Sequence, residues 1–129
     1  MFAKEPMERD PLTDKVIGAA IEVHRQLGPG LLESVYEECL CYELGLLGLS
    51  VQRQLSLPIR YKNVNLEGGF RIDILVEGSL VIELKAVDKI IALHERQLLT
   101  YMRLSGHKTG LILNFNVYLM KDGVKRMVL

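Results

Sequence analysis

The chain carries no excess of either charge. Its 16 Lys and Arg are balanced by 16 Asp and Glu, for a formal net charge of zero. Dedicated non-specific nucleic-acid binders are usually strongly basic, because phosphate neutralisation and counterion release supply their affinity. Neutrality therefore argues against tight, salt-driven DNA binding by the surface as a whole. It leaves room for an enzyme in which a local basic patch sits beside an acidic metal site. Cysteine is scarce, with only Cys39 and Cys41. Two apart on a predicted helix, they point to different faces and cannot bridge each other. No zinc-ligand spacing accompanies them, and they read as reduced thiols of a cytoplasmic protein. The opening residues, MFAKEPMERDPLTDK, lack the apolar stretch of a signal peptide. No apolar run is long enough to cross a membrane. The expectation is a cytoplasmic protein with no membrane partner.

What is present suits one globular domain. A chain of 129 residues, 49% hydrophobic and 25% charged, has ordinary composition. At this length it buries roughly two thirds of its unfolded surface and needs no covalent staples. No linker, repeat or low-complexity segment divides it. Residues 1–10 are polar and read as a flexible tail, and 11–129 as a single domain.

Along that domain the hydrophobic period changes three times. Pro11-Leu12-Thr13 starts a helix with Thr13 as N-cap. Val16, Ala20, Val23 and Leu27, flanked by Ile17 and Ile21, recur at helical spacing until Gly28-Pro29-Gly30. A second helix runs from Leu32 to Leu47 with Val35, Leu40, Leu44 and Leu47 apolar, and the short connection packs the two together. Residues 51–61 then alternate as a strand, an edge or irregular one because of Pro58. Lys62-Asn63-Val64-Asn65 reads as a turn, 66–76 as a strand bent at Gly68-Gly69, Glu77-Gly78-Ser79 as a tight turn and 80–87 as a third strand. Together these predict an antiparallel meander. A third helix over 92–105 stops at Gly106, 108–115 is a buried strand, and Lys121-Asp122-Gly123 turns into a last strand, 124–128. The order is α-α-β-β-β-α-β-β, an α/β fold with a mixed sheet flanked by helices.

The chemistry concentrates on the central strands. Glu83 and Lys85 are two apart and project to one face, while Ile82 and Leu84 face the core. Alone, such a pair is what a solvated face produces. Asp73 changes that reading. It lies nine residues before Glu83, and a hairpin at Glu77-Gly78-Ser79 brings it opposite residues 83–85. With Ile72 and Ile74 turned to the core, Asp73 shares the side of Glu83. Two carboxylates beside one ammonium repel each other, and a divalent cation resolves the conflict. All-oxygen ligands favour a hard ion such as Mg²⁺, which needs few protein carboxylates.

The spacing Asp73-x9-Glu83-x-Lys85 resembles the signature of the PD-(D/E)xK nuclease superfamily, and the element order resembles its restriction endonuclease-like α-β-β-β-α-β core. Gly30-Leu31-Leu32-Glu33-Ser34-Val35-Tyr36 is similar to the G-x-x-E-x-x-Y motif of the GxxExxY proteins grouped with that superfamily. The likeness extends through LGPGLLESVYEE, GFRIDILVE, VIELKAV and HERQLLTYMRLSG, from about Leu12 to Val128. It implies that Asp73 and Glu83 are metal ligands, joined by Glu33 and by the main-chain carbonyl of Leu84, with Mg²⁺ or Mn²⁺ as cofactor. It implies that Lys85 is the catalytic lysine, and that Gln97 and Tyr101 are the Gln-x-x-x-Tyr element of the exonuclease-like branch.

Each residue also has a plainer reading. Glu33 at a helix start is favoured by the helix dipole alone. Tyr36, one turn on, reads as a partly buried core tyrosine. Gln97 and Tyr101 share a helix face with His94, whose plainer reading is an exposed or satisfied histidine. The opposite stripe, Leu98 and Met102 with Leu99 and Ser105, suits packing. Gly28-Pro29-Gly30 follows a helix rather than a strand and lacks Gly-Lys-Ser/Thr, so it is a turn and not a phosphate loop. No serine, histidine and acid form a triad, and G-x-S-x-G is missing. Arg53, Arg60, Lys62 and Arg71 read first as a solvated sheet edge and second as a basic strip beside a substrate. The expected function is metal-dependent hydrolysis of phosphodiester bonds in DNA or RNA. The alternatives are a nucleic-acid- or metal-binding module with little turnover, and a homo-oligomeric interaction domain, for instance a homodimer.

Overall fold

The computed structural model describes residues 10–129. The tail expected over 1–10 therefore lies outside the described residues except for Asp10, which has a structural task. Its Oδ1 accepts from the Thr13 N–H at 2.7 Å and caps the first helix. Asp10 and not Thr13 is thus the N-cap, with Pro11 at the first helical position, where its missing N–H costs nothing.

Helices α1 (Pro11–Leu27) and α2 (Glu33–Leu46) precede strands β1 (Val51–Tyr61), β2 (Val64–Val76) and β3 (Leu80–Lys85). Helix α3 (Ala92–Ser105), strand β4 (Thr109–Asn114), a 3₁₀ turn (Met120–Gly123) and strand β5 (Val124–Val128) complete the chain. The sheet has five strands in the order β1-β2-β3-β4-β5. The meander β1-β2-β3 is antiparallel, as its turns require, and β4 joins β3 in parallel after the α3 crossover, so the sheet is mixed.

Two hydrophobic clusters sandwich the sheet. On one face Val16, Ala20 and Val23 of α1 and Tyr36, Leu40 and Leu44 of α2 pack on Ile74, Ile82, Leu84 and Leu113. On the other, Leu98 and Met102 of α3 pack on Ile72, Val81 and Ile112. Ile21, Leu27, Val35 and Leu47, expected in the buried stripes, are exposed instead. Helix α2 buries every fourth residue from Tyr36, a face that a count of aliphatic residues misplaces by one position.

Some boundaries move for local reasons. Tyr61 already pairs with Val64, so the β1–β2 turn is only Lys62-Asn63, with Lys62 at φ 54°. Strand β2 starts at Val64 rather than at 66, and β3 stops at Lys85 rather than at 87. The hairpin-like turn expected at 121–123 is a 3₁₀ turn. Pro58 does lie on an edge strand, and the register shifts between Leu57 and Ile59. Opposite it the chain bends at Gly68-Gly69. A Cβ on Gly69 would fall 2.5 Å from Ile59 Cγ1, so only glycine lets the two strands approach there.

The feature that positions the site is a break in alternation. Val51 packs on the α1–α2 cluster and Arg53 bonds Glu37 of α2, whereas Leu55, Leu57 and Ile59 pack on the α3 side. On β2, Ile74 belongs to the α1–α2 cluster and Ile72 to the α3 cluster. Both strands change face at Gln54 and Asp73, and Gln54 takes φ 49° to do so. Ile72 and Ile74 thus enter two different cores, not one as the alternation suggested. Pairing of β2 with β3 ends at the same point, the last partners being Ile74 and Ile82. Beyond it β2 follows β1, and the sheet forks.

Candidate active site

Asp73 stands in the fork. Its Oδ2 accepts from the Leu84 main-chain N–H at 2.9 Å, bridging the strands where their ladder has stopped. Glu83 and Lys85 point into the same opening, as strand parity requires, while Leu84 is buried on the other face. Helices from both layers reach the gap: α2 contributes Glu33 and α3 contributes Gln97 and Tyr101. The result is a polar cleft of about 470 Å³ that brings together all six residues singled out from the sequence.

Burial makes this cluster costly. Glu83 is only 5% exposed, and its Oε1 has no hydrogen-bond partner among the described residues. Desolvation, then the neighbouring Asp73 charge, pushes its carboxyl up to about 8, against the smaller opposing pull of Lys85. Asp73 is also raised, first by burial, although the Leu84 N–H opposes the shift. Between pH 4.5 and about 8 the folded protein therefore holds a proton on Glu83 that the unfolded chain has released. Stability falls as pH rises through that window. In a chelator, the unfolding temperature of the wild type is expected to drop across it more steeply than that of Glu83→Gln. A divalent cation should flatten the wild-type profile by stabilising the ionised form. Identical profiles for the two proteins would contradict this account.

The remaining residues divide into those that enter the cleft and those that hold it. Glu33 is exposed at the first turn of α2. Tyr36 is fully buried, stacked on Phe115 with centroids 4.5 Å apart. Its hydroxyl donates to Gly28 O at 2.6 Å and accepts from Leu31 N–H at 3.1 Å. Tyr36 thus fastens the loop that delivers Glu33. Gln97 Nε2 donates to the Tyr101 hydroxyl at 3.0 Å, and the Tyr101 ring rests on Phe70. His94 is a satisfied histidine: its Nδ1 accepts from the Ile91 N–H at the start of α3.

Two supports were missed by sequence reasoning. Glu37, buried on α2, accepts from Arg53 at 2.9 Å and from Gln54, fixing the point where β1 changes face. Its position one helical turn after Glu33 was the available signal. Asn114 receives the Val87 N–H and donates to Val87 O at 2.9 Å, clamping the segment after Lys85. An asparagine closing a run of apolar residues was the only hint. Arg71 and its cross-strand partner Ser56 also line the cleft.

Among the described residues, no three His, Cys, Asp or Glu side chains stand close enough to hold an ion unaided. The donors still suit a hard cation. All are oxygen, Glu83 offers an unpartnered buried oxygen, and Asp73 is fixed by a main-chain N–H. A hard ion that keeps several waters needs only such a partial set. Among the described residues no helix is long and apolar enough to cross a membrane.

Comparison with known families agrees with the geometry. The sequence matches the family model of the PD-(D/E)XK nuclease superfamily over residues 10–127. No curated protein and no solved structure gives a significant match.

Proposed function

Because the chain belongs to the PD-(D/E)XK nuclease superfamily, we propose that it is a nuclease of the GxxExxY group that hydrolyses phosphodiester bonds in DNA or RNA at the fork between β2 and β3. The superfamily acts on nucleic acid and generally uses divalent metals. The observation that carries the reading is the buried, unpartnered Glu83 oxygen beside Asp73 and Lys85. Such a group is costly to keep unless a ligand completes it.

In this reading Asp73 and Glu83 would hold Mg²⁺ or Mn²⁺, with the Leu84 carbonyl and waters completing the set and Glu33 reaching the ion through one of those waters. The bound ion supplies a lowered pKa for water and positive charge for phosphoryl oxygens. Lys85, on the same strand face as Glu83, orients the attacking water and faces the charge that develops on phosphorus oxygens. Gln97 and Tyr101 reach in from α3 as a hydrogen-bonded pair that positions the substrate backbone. Asp73 keeps its orientation through Leu84 N–H, so it is preorganised before substrate arrives.

The test is cleavage of labelled DNA and RNA by purified protein in Mg²⁺, Mn²⁺ and chelator. Metal-dependent cleavage by the wild type and none by Asp73→Ala is expected. Equal cleavage by both would place the activity elsewhere. Metal and oligonucleotide binding without cleavage would instead make the domain a binding module. No metal binding at all would leave a homo-oligomeric interaction domain.

A further inference from the structure

The cleft has a second cation besides Lys85. Arg71 lies on β2 two residues before Asp73, is exposed and lines the opening. The other basic residues of the β1–β2 ribbon are engaged. Arg53 is paired with Glu37 and Glu38, each at 2.9 Å. The Arg60 Nε donates to Lys62 O at 3.2 Å, and Lys62 Nζ lies 5.3 Å from the Tyr61 ring centre. The Arg71 side chain makes no hydrogen bond or ion pair among the described residues, and its charge acts on Asp73. Its cross-strand partner is Ser56, whose side chain shares the cleft. Gly68 beside them adds no side chain to the wall, and a Cβ there would meet nothing within 4 Å.

We infer that Ser56 and Arg71 form a phosphate grip for the nucleic-acid backbone, holding a phosphate next to the one cleaved; this rests on the nuclease reading. The chemistry fits. A guanidinium offers a planar fork of donors matched to phosphate oxygens, and an adjacent hydroxyl adds one more. The placement fits too. The ribbon leaves the sheet at Asp73, so its inner wall continues from the cleavage position along the path a strand would follow. The charge balance sets the order of events. Arg71 and Lys85 do not outnumber the acids Glu33, Asp73 and Glu83, so the cleft offers phosphate no excess positive charge until a divalent cation supplies it. Metal is therefore expected to strengthen oligonucleotide binding as well as to permit cleavage.

The test is fluorescence anisotropy of the full chain with a labelled single-stranded oligonucleotide, with Ca²⁺ or with chelator. Arg71→Ala is expected to weaken binding in Ca²⁺ about tenfold or more, and Arg71→Lys to restore part of it. The slope of log K against log salt should fall by about one for Arg71→Ala. Arg60→Ala, which removes the same charge farther out on the ribbon, should change affinity by less than about twofold. Arg71→Ala indistinguishable from Arg60→Ala would overturn the grip and leave the nuclease reading standing. A loss of binding that tracks a fall in unfolding temperature, unrelieved by Arg71→Lys, would also overturn it, by making Arg71 structural. Failure of the wild type to bind any DNA or RNA oligonucleotide with metal present would refute the nuclease reading and this inference together.

Discussion

Lys85→Ala is expected to lower metal-dependent cleavage by about 10²–10³-fold, the usual loss when one preorganised charge-stabilising donor is removed, while fold and metal binding persist. The backbone of Lys85 is secured independently of its side chain. It pairs with Asn114 in the β3–β4 ladder, and its carbonyl accepts from Phe115 N–H at 3.0 Å. The amine itself makes no ion pair among the described residues, so its removal breaks no structural contact. It does remove a positive charge that favours ionisation of both Asp73 and Glu83. Proton competition for the carboxylates then rises, while direct repulsion of the metal falls, and the two effects oppose each other. Cation binding should therefore change far less than turnover. Lys85→Arg should not rescue fully, because a planar fork cannot replace a compact ammonium. Single-turnover rates beside calorimetric metal titrations check this. Parallel loss of turnover and metal affinity would show that Lys85 organises the site rather than acting in the reaction.

The largest effect on stability is expected at Tyr36, a residue read from the sequence as only partly buried. Tyr36→Ala removes a fully buried ring stacked on Phe115 and should cost about 3–5 kcal/mol. For a chain of this size that lowers the unfolding temperature by roughly 10 °C or more. Tyr36→Phe keeps the ring but strands the Gly28 carbonyl and the Leu31 N–H, at about 1–3 kcal/mol. Its effect on turnover should exceed what that loss of stability explains, because the freed loop leads directly into Glu33 at the start of α2. Thermal melts and cleavage rates on both variants separate the two roles. A Tyr36→Phe protein with wild-type turnover would confine the tyrosine to packing.

Much of the fold was legible because its signals are local. The period of two in Arg71-Ile72-Asp73-Ile74 and in Ile82-Glu83-Leu84-Lys85, and the glycine after Ser105, report elements whose residues interact within a few positions. Helix α3 matches its expected bounds for that reason. The side of the sheet on which Glu83 and Lys85 project followed from parity alone. The fork did not. It depends on Gln54 taking a left-handed conformation and on Glu37, a helix away, accepting from Gln54 and Arg53. A contact across that many residues leaves no period in the sequence. Asp73 therefore reached the expected place by a different route: Ile72 and Ile74 serve opposite cores, and the strand breaks between them. The Asp10 cap was missed because Thr13, a good capping residue in isolation, lies three residues on and receives the cap instead. Arg53 and Arg71 look alike as sequence, yet two acidic residues on α2 occupy the first and leave the second facing the cleft.

The most direct measurement is a Mn²⁺-soaked crystal examined by anomalous scattering. One peak at about 2 Å from a carboxylate oxygen of both Asp73 and Glu83 is the expected result, with waters in the remaining positions. Full soaking with no density between those two side chains, or an ion held by other residues, would contradict the account.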